Sequence, residues 1–352
     1  MLMNPLAKPC QQRLALAPAV QMGEYRAMPR PSSLAALLTA FGLFLAPLPA
    51  ADAFGPTPNI VQRTAEARLL GEFERFAALT DGTVGIAVRD LHSGQSIGIN
   101  NDTLFPMAST YKVAVAGKIF SMADAGALNL DERLPRLGTP LPVTALLELM
   151  LTRSDNEATD VLVARAGGPQ AVNSWLQSIG IHGQRVDSNT AQLLERAKAA
   201  APMGGDEAAM EAGLSPQQRD ARDLPNMAFA ADPRDTSTPR AMNDLLAAIH
   251  HGKALKPGSS AALLAIMARC KTGKARLTGM LPPGTQIAHK TGTLNGLGND
   301  AGLIALPDGR TFAISVFVMK DHRGHVLRDR IMAEVARAAY DYFLFAPESR
   351  TS

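Results

Sequence analysis

Thr83-Val84-Gly85-Ile86-Ala87-Val88 reads as a short, mostly apolar strand, and its surroundings decide the architecture of this 352-residue chain. Just downstream, Gln95-Ser96-Ile97-Gly98-Ile99 reads as a second strand. Asp90, His92, Ser93 and Gly94 supply turn chemistry between the two, so a β-hairpin is expected. Upstream, Ile60, Val61, Ala65, Leu69, Phe73 and Phe76 recur with helical spacing and predict a helix over Ile60 to Leu79. Beyond the hairpin the pattern is helical from about Ala108 to Met267, with stops at Gly126, Gly138-Thr139-Pro140, Gly167-Gly168 and Gly180. Strand patterns return only at Thr285 to Lys290, Ala301 to Leu306 and Thr311 to Val318, the last two joined by the turn Pro307-Asp308-Gly309-Arg310. A helix from about Val326 to Phe345 follows.

Strands at both ends of the chain with helices between them predict an α/β (α+β) fold. It has an about five-stranded antiparallel sheet flanked by terminal helices, with an inserted all-helical lobe. The sheet lobe takes residues of about 54–107 and 280–346, the helical lobe about 108–279, and 347–352 form a tail. Glu195 to Ala231 break the rhythm, being rich in Ala, Gly, Gln, Asp and Pro, and predict a long surface excursion.

Hydrophobic residues at 46% and charged residues at 19% place the chain among globular proteins with a sizeable core. A net charge of +3 without a basic run along any helical face gives no nucleic-acid footprint. Residues 1–53 read as a leader: Met28-Pro29-Arg30 opens a positive region, Leu34 to Leu48 is apolar, and Ala51-Asp52-Ala53 offers a cleavage site before Phe54. Met28 is the expected initiator. The apolar run is shorter than the ~20 residues of a spanning helix, so a periplasmic or secreted monomer with no stable membrane anchor is expected. Of the two cysteines, Cys10 lies in the leader, and Cys270 follows Leu263, Leu264, Ile266 and Met267 as a buried small hydrophobe.

Three motifs carry chemistry: Ser109-Thr110-Tyr111-Lys112, Ser154-Asp155-Asn156 and Lys290-Thr291-Gly292-Thr293. Ser109 and Lys112 are three apart at the start of a helix, which puts both on one face. A partly desolvated lysine can take the proton of a serine hydroxyl, and the helix N-terminus favours a developing oxyanion. Ser154 opens another helix and suits a proton shuttle toward a leaving nitrogen, while Asn156 can bond a substrate amide. Lys290 lies at the end of a predicted strand, Gly292 permits close approach of a ligand, and Thr291 and Thr293 alternate on that strand, so both hydroxyls can face one groove with Lys290 nearby. Taken singly, these motifs equally describe helix caps and an edge-strand lysine.

Jointly they resemble the serine β-lactamases and penicillin-binding proteins, most closely the class A β-lactamases. The resemblance spans about residues 60–346, including Arg234-Asp235-Thr236-Ser237-Thr238-Pro239 as the exit of an Ω-loop. It implies a β-lactamase/transpeptidase-like fold, a small-molecule β-lactam or peptidoglycan-like substrate, and no cofactor. Ser109 would be acylated, and Lys112 and Ser154 would shuttle protons. Asn156, Lys290, Thr291, Thr293, Arg276 and Asn226 would bind substrate.

The chain departs from class A in its Ω-loop, about 185–235. Counting from Ser154 places Thr190 where a deacylating glutamate is expected, and counting back from Asp235 places Arg222 there, with Asn226 at a nearby asparagine position. Asp206, Glu207, Glu211, Asp220 or Asp223 could supply a substitute base, or Lys112 could serve both steps. A DD-peptidase or esterase-like relative, and a sensor that β-lactams acylate without turnover, are the competing readings. His289, His322 and His325, with Asp321, form a further candidate set for zinc, although their spacing matches no established zinc motif.

Overall fold

The computed structural model describes residues 58–199 and 223–345. Helix α1 (Pro58–Ala77) leads into β1 (Thr83–Asp90) and β2 (Ser96–Ile99). The short strand β3 (Phe105–Pro106) precedes a 3-10 turn (Ala108–Tyr111) that runs directly into α2 (Lys112–Asp124). Strands β4 (Arg133–Leu134) and β5 (Leu141–Pro142) come before α3 (Val143–Thr152), α4 (Asn156–Arg165), α5 (Pro169–Ser178) and α6 (Thr190–Ala199). From residue 223 the order is α7 (Met227–Ala230), β6 (Thr236–Ser237), α8 (Pro239–His250) and α9 (Pro257–Met267). Strands β7 (Ile287–Leu294), β8 (Leu297–Ala305) and β9 (Thr311–Met319) and helix α10 (His325–Phe345) complete it.

The expected sheet is present: five antiparallel strands in the order β2-β1-β9-β8-β7. The C-terminal strand β9 lies between the N-terminal hairpin and β8, with Ile86 opposite Val316. Alternation along β9 shows why these strands read as apolar runs. Phe312, Ile314, Val316 and Val318 pack with Leu69 and Phe73 of α1 and with Ile331, Val335 and Ala339 of α10. Ala313, Phe317 and Met319 point the other way, into a core shared with Val113, Leu245 and Leu246 of the helical lobe. Helices cover both faces, so neither set of alternating residues is left to water.

Three local readings are corrected. Lys290-Thr291-Gly292-Thr293 lies inside β7, which continues to Leu294, and β8 starts at Leu297, four residues earlier than expected. The two-residue Asn295-Gly296 loop between them is a hairpin signature that the apolar pattern alone passes over. The helix-cap reading of Ser154-Asp155 is met by Asp155, which caps α4 by accepting from Ala158 N at 2.7 Å. Helix α9 stops at Met267, so Cys270 lies in the following turn, half-buried among polar groups instead of on an apolar helical face. The leader, the tail, and Asp206, Glu207, Glu211, Asp220 and Arg222 lie outside the described residues. No helix of the described residues is long and apolar enough to cross a membrane.

One buried ion cluster joins the end of the sheet to the chain leaving the excursion. Arg328 of α10, 1% exposed, donates through Nη1 to Asp321 Oδ2 at 2.8 Å and through Nη2 to Asp223. Asp321 also accepts from Thr80 Oγ1 and from Gly324 N, and Asp223 Oδ1 accepts from Gly296 N at 2.8 Å. Removing the cation strands buried carboxylates, which costs roughly 3–5 kcal/mol, far more than an exposed pair. Arg328→Met is expected to lose about that much in urea unfolding at pH 7. Arg328→Met combined with Asp321→Asn should recover part of the loss.

Candidate active site

Ser109 is placed by its backbone. Ala108 before it takes φ +44°, a sparsely populated conformation for alanine, and the 3-10 turn that follows feeds into α2. The approach is fixed from two sides. Met107 N donates to Asp235 O at 2.9 Å. Asn299 Nδ2 of β8 donates to Pro106 O at 2.8 Å and to Met107 O at 3.0 Å. Strand β7 passes so close that a Cβ on Gly292 would stand 2.5 Å from Met107 O and 3.1 Å from Ser109 N. Only glycine allows this approach, and it sets the β7 backbone beside the serine amide.

Lys112, one turn on, is fully buried. Its Nζ lies 2.7 Å from Ser154 O, 2.8 Å from Asn156 Oδ1 and 3.2 Å from Ser154 Oγ. Lys290 is also fully buried, with Nζ 3.0 Å from the same Ser154 Oγ and 2.8 Å from Thr291 O. Ser154, held at φ +59°, thus places one hydroxyl between two buried amines. Burial, then the neighbouring Lys290 charge, brings the Lys112 pKa down to about 7. Burial likewise brings Lys290 down to about 8, against the charges of Cys270 and Asp300 that oppose its fall.

The remaining expected residues divide into those gathered here and those engaged elsewhere. Asn156 is exposed, and with its Oδ1 held by Lys112 its Nδ2 remains for a ligand. Thr291 Oγ1 pairs with Thr272 Oγ1 at 2.6 Å, and Thr293 Oγ1, on an exposed residue, accepts from Arg276 Nη2 at 2.8 Å. Arg276 is itself buried and tied down, donating through Nε to Asp329 at 2.7 Å and through Nη1 to Gly292 O and Asn299 O, each at 3.0 Å. It therefore orients Thr293 and β7 in the free protein. Asn226 is not gathered with them: its Oδ1 accepts from Phe229 N as the cap of α7, and its Nδ2 donates to Ala197 O.

The counted base positions show the same separation. Thr190 Oγ1 shares a 2.7 Å hydrogen bond with the buried Tyr111 hydroxyl, and Thr190 N donates to Asp160 Oδ1 at 2.6 Å. Asp223 is engaged by Arg328 and Gly296. Among the described residues no carboxylate hydrogen-bonds Ser109, Lys112, Ser154 or Lys290. Histidine chemistry is dispersed as well. His289 is buried against Asp300, His322 faces Asp81, and no group of three His, Cys, Asp or Glu among the described residues is arranged to hold a metal.

Sequence reasoning did not single out Asn299, which anchors the Ser109 turn, because one asparagine in a strand carries no spacing signal. Nor did it single out the Asp235 carboxylate. That group closes the neck of the loop by accepting from Asp187 N, Ser188 N and Arg196 Nη2.

The arrangement is matched by known proteins. The model of the β-lactamase enzyme family matches residues 69–343. Extended-spectrum β-lactamase PER-1 of Pseudomonas aeruginosa is 29% identical over 309 residues, covering 80% of this chain and 90% of that protein. β-Lactamase VEB-1 of Pseudomonas aeruginosa is 26% identical over 299 residues, covering 78% and 89%. Among solved structures, a β-lactamase from Chitinophaga pinensis DSM 2588 superposes with a TM-score of 0.65 at 28% identity, covering 78% of this chain and 98% of that one. The chain belongs to the β-lactamase enzyme family and is a class A β-lactamase-like serine hydrolase.

Proposed function

We propose that the protein is an exported enzyme that hydrolyses β-lactams through an acyl-enzyme on Ser109, with acylation complete in its machinery and release slow. The observation that carries this reading is the Ser154 hydroxyl held between Nζ of Lys112 and Nζ of Lys290. A neutral Lys112 fits its three contacts. Two N–H groups go to Ser154 O and Asn156 Oδ1, and the lone pair faces the Ser154 hydroxyl. A charged Lys290 then donates to Ser154 Oγ from the other side.

Ser109 Oγ attacks the β-lactam carbonyl while its proton passes to Lys112. The C–N bond breaks as the Ser154 hydroxyl protonates the leaving nitrogen and is reprotonated by Lys112. The Ser109 N–H and the β7 backbone beside it would stabilise the oxyanion, and Lys290, Thr291 and Thr293 would hold the substrate carboxylate. In the free protein Lys112 is turned to Ser154 and Asn156 instead of hydrogen-bonding Ser109 Oγ. Catalytic contacts of this kind tighten when substrate is bound. Export rests on the leader pattern.

The second reading, a penicillin-binding relative that acylates with little turnover, is favoured by one feature. The Thr190 hydroxyl is held by Tyr111, and no described carboxylate stands in the serine–lysine cluster. A positioned general base is worth ~10²–10⁴ in rate, so a site without one would be slow in deacylation.

Ser109→Ala is expected to abolish hydrolysis of a chromogenic cephalosporin; hydrolysis undiminished in that variant would refute the serine mechanism. The acylation rate should follow a bell in pH, rising through about 7 as Lys112 loses its proton and falling through about 8 as Lys290 loses its own. The two limbs belong to the coupled pair. Stopped-flow acylation of Lys290→Arg should retain the acid limb and lose the alkaline one. The lowered Lys112 pKa also fixes a stability sign. Between about 7 and 10.5 the unfolded chain binds the proton and the folded one does not, so this group makes stability rise with pH across that window. Lys112→Met should therefore raise the melting temperature more at pH 6 than at pH 10 while eliminating acylation, as calorimetry at the two pH values would show.

A further inference from the structure

Helix α5 and the chain that leaves it enclose a pocket of about 370 Å³ that the mechanism above does not use. Small-molecule sites run from roughly 300 to 1,000 Å³, so this one has room for a metabolite-sized ligand. Its walls are Asn173 and Gln177 of α5 and Ile181, His182, Gln184 and Arg185 of the following segment. Three of these six side chains are carboxamides and none is acidic. Gln184 differs from the others. It is 6% exposed, and both Oε1 and Nε2 of its amide are buried with no hydrogen-bond partner among the described residues. Leaving a buried donor and a buried acceptor unmet is unfavourable, and native folds rarely do it.

The backbone around Gln184 is fixed on both sides. Asn173 Nδ2 donates to Val186 O at 2.7 Å and Asn173 Oδ1 accepts from Val186 N at 2.8 Å, which clamps α5 to this segment. On the other edge Gly183 O accepts from Thr238 N and Arg185 N donates to Thr236 O, each at 2.9 Å, while Gln184 bridges Ser237 of β6. The pocket wall is therefore preformed, and the Gln184 side chain is its uncommitted part. Turning that amide toward a ligand breaks no hydrogen bond of its own. The partner it calls for offers one donor and one acceptor side by side, as a primary carboxamide does. Asn173 makes that two-bond match with the Val186 backbone in the same wall. Arg185 is exposed and already donates through Nε and Nη2 to Asp187, so an anionic group gains modestly there.

We propose that this pocket is a second ligand site, for a small molecule whose primary carboxamide is read by Gln184 and whose carboxylate lies toward Arg185. Recognition rests mainly on the carboxamide, because it meets two buried groups, while the carboxylate meets one exposed and already paired cation. The site stands apart from the β-lactam reading and does not depend on it. The chain carries its own reporter. Trp175, the sole tryptophan in the sequence, lies on α5 between Asn173 and Gln177 and is 6% exposed, so its emission senses this wall.

The test titrates the full chain with N-acetylglutamine, following Trp175 fluorescence and, on the same mixtures, the heat of binding. Saturable binding with a Kd of about 1 mM or tighter is expected; no saturable signal up to about 10 mM overturns the proposal. N-acetylnorvaline, which has the same carbon chain without the carboxamide, should bind about tenfold more weakly, and the methyl ester of N-acetylglutamine about twofold to threefold more weakly. Equal affinity for N-acetylnorvaline removes Gln184 as the reader and overturns the assignment. Gln184→Leu should lose saturable binding and melt no lower than the wild type, because it deletes an unmet buried amide. Gln184→Met repeats the measurement with a more adaptable side chain. Lower melting of both variants would mean that the amide has a partner inside the fold, which also overturns the proposal. Ser109→Ala should bind N-acetylglutamine as the wild type does. Loss of binding in that variant would put the ligand in the serine cleft instead, whereas a failure of cephalosporin hydrolysis leaves the pocket measurement standing.

Discussion

Two buried amines on one hydroxyl are the constraint on which the rest of the structure depends. Lys112 and Lys290 meet at Ser154 Oγ with no carboxylate hydrogen-bonded to either among the described residues, and two full positive charges there would repel in a poorly solvated space. The site resolves this by letting one amine go neutral near pH 7. That neutral amine is the base a serine needs. Bringing the three groups together requires three separate parts of the fold: the helix after Ser109, the turn ahead of α4, and an inner stretch of β7. The sheet closed from both chain ends is what makes them converge.

Supporting interactions serve the same end. Asn299 and Asp235 O fix the approach to Ser109, and the missing side chain at Gly292 lets β7 lie against it. Arg276 spends its donors on β7, β8 and Asp329, holding the strand that carries Lys290 and Thr293. The positive φ values at Ala108 and Ser154 fall beside the proposed nucleophile, Ser109, and at the proposed shuttle itself. Strain at these points is sustained by the packed elements on either side.

Much of this was legible in the sequence. The return of strand patterns after a long helical stretch gave an antiparallel sheet closed from both chain ends, and the structure supplies its strand order. The three motifs gave the serine, both lysines and the second hydroxyl. Other features escaped for physical reasons. The extent of β7 was cut short because polar Lys290, Thr291 and Thr293 look like a strand end, yet pairing with β8 keeps them in the sheet. The His289–Asp300 pair needs the β7–β8 register, which sets His289 opposite Gly302 and brings Asp300 diagonally near it. No spacing rule on the sequence gives that. Arg276 and Asn226 sit at the expected counts, but only coordinates show their side chains already spent on other partners.

The central claim, as proposed above, is that attack is well equipped, while among the described residues no carboxylate stands ready for release. Intact-protein mass spectrometry over the first seconds to minutes after mixing with a penicillin at pH 7.5 tests it most directly. The account predicts an adduct of the whole penicillin mass on Ser109 that forms early and dominates while free product accumulates slowly. Product formation with Ser109 unmodified throughout would contradict it.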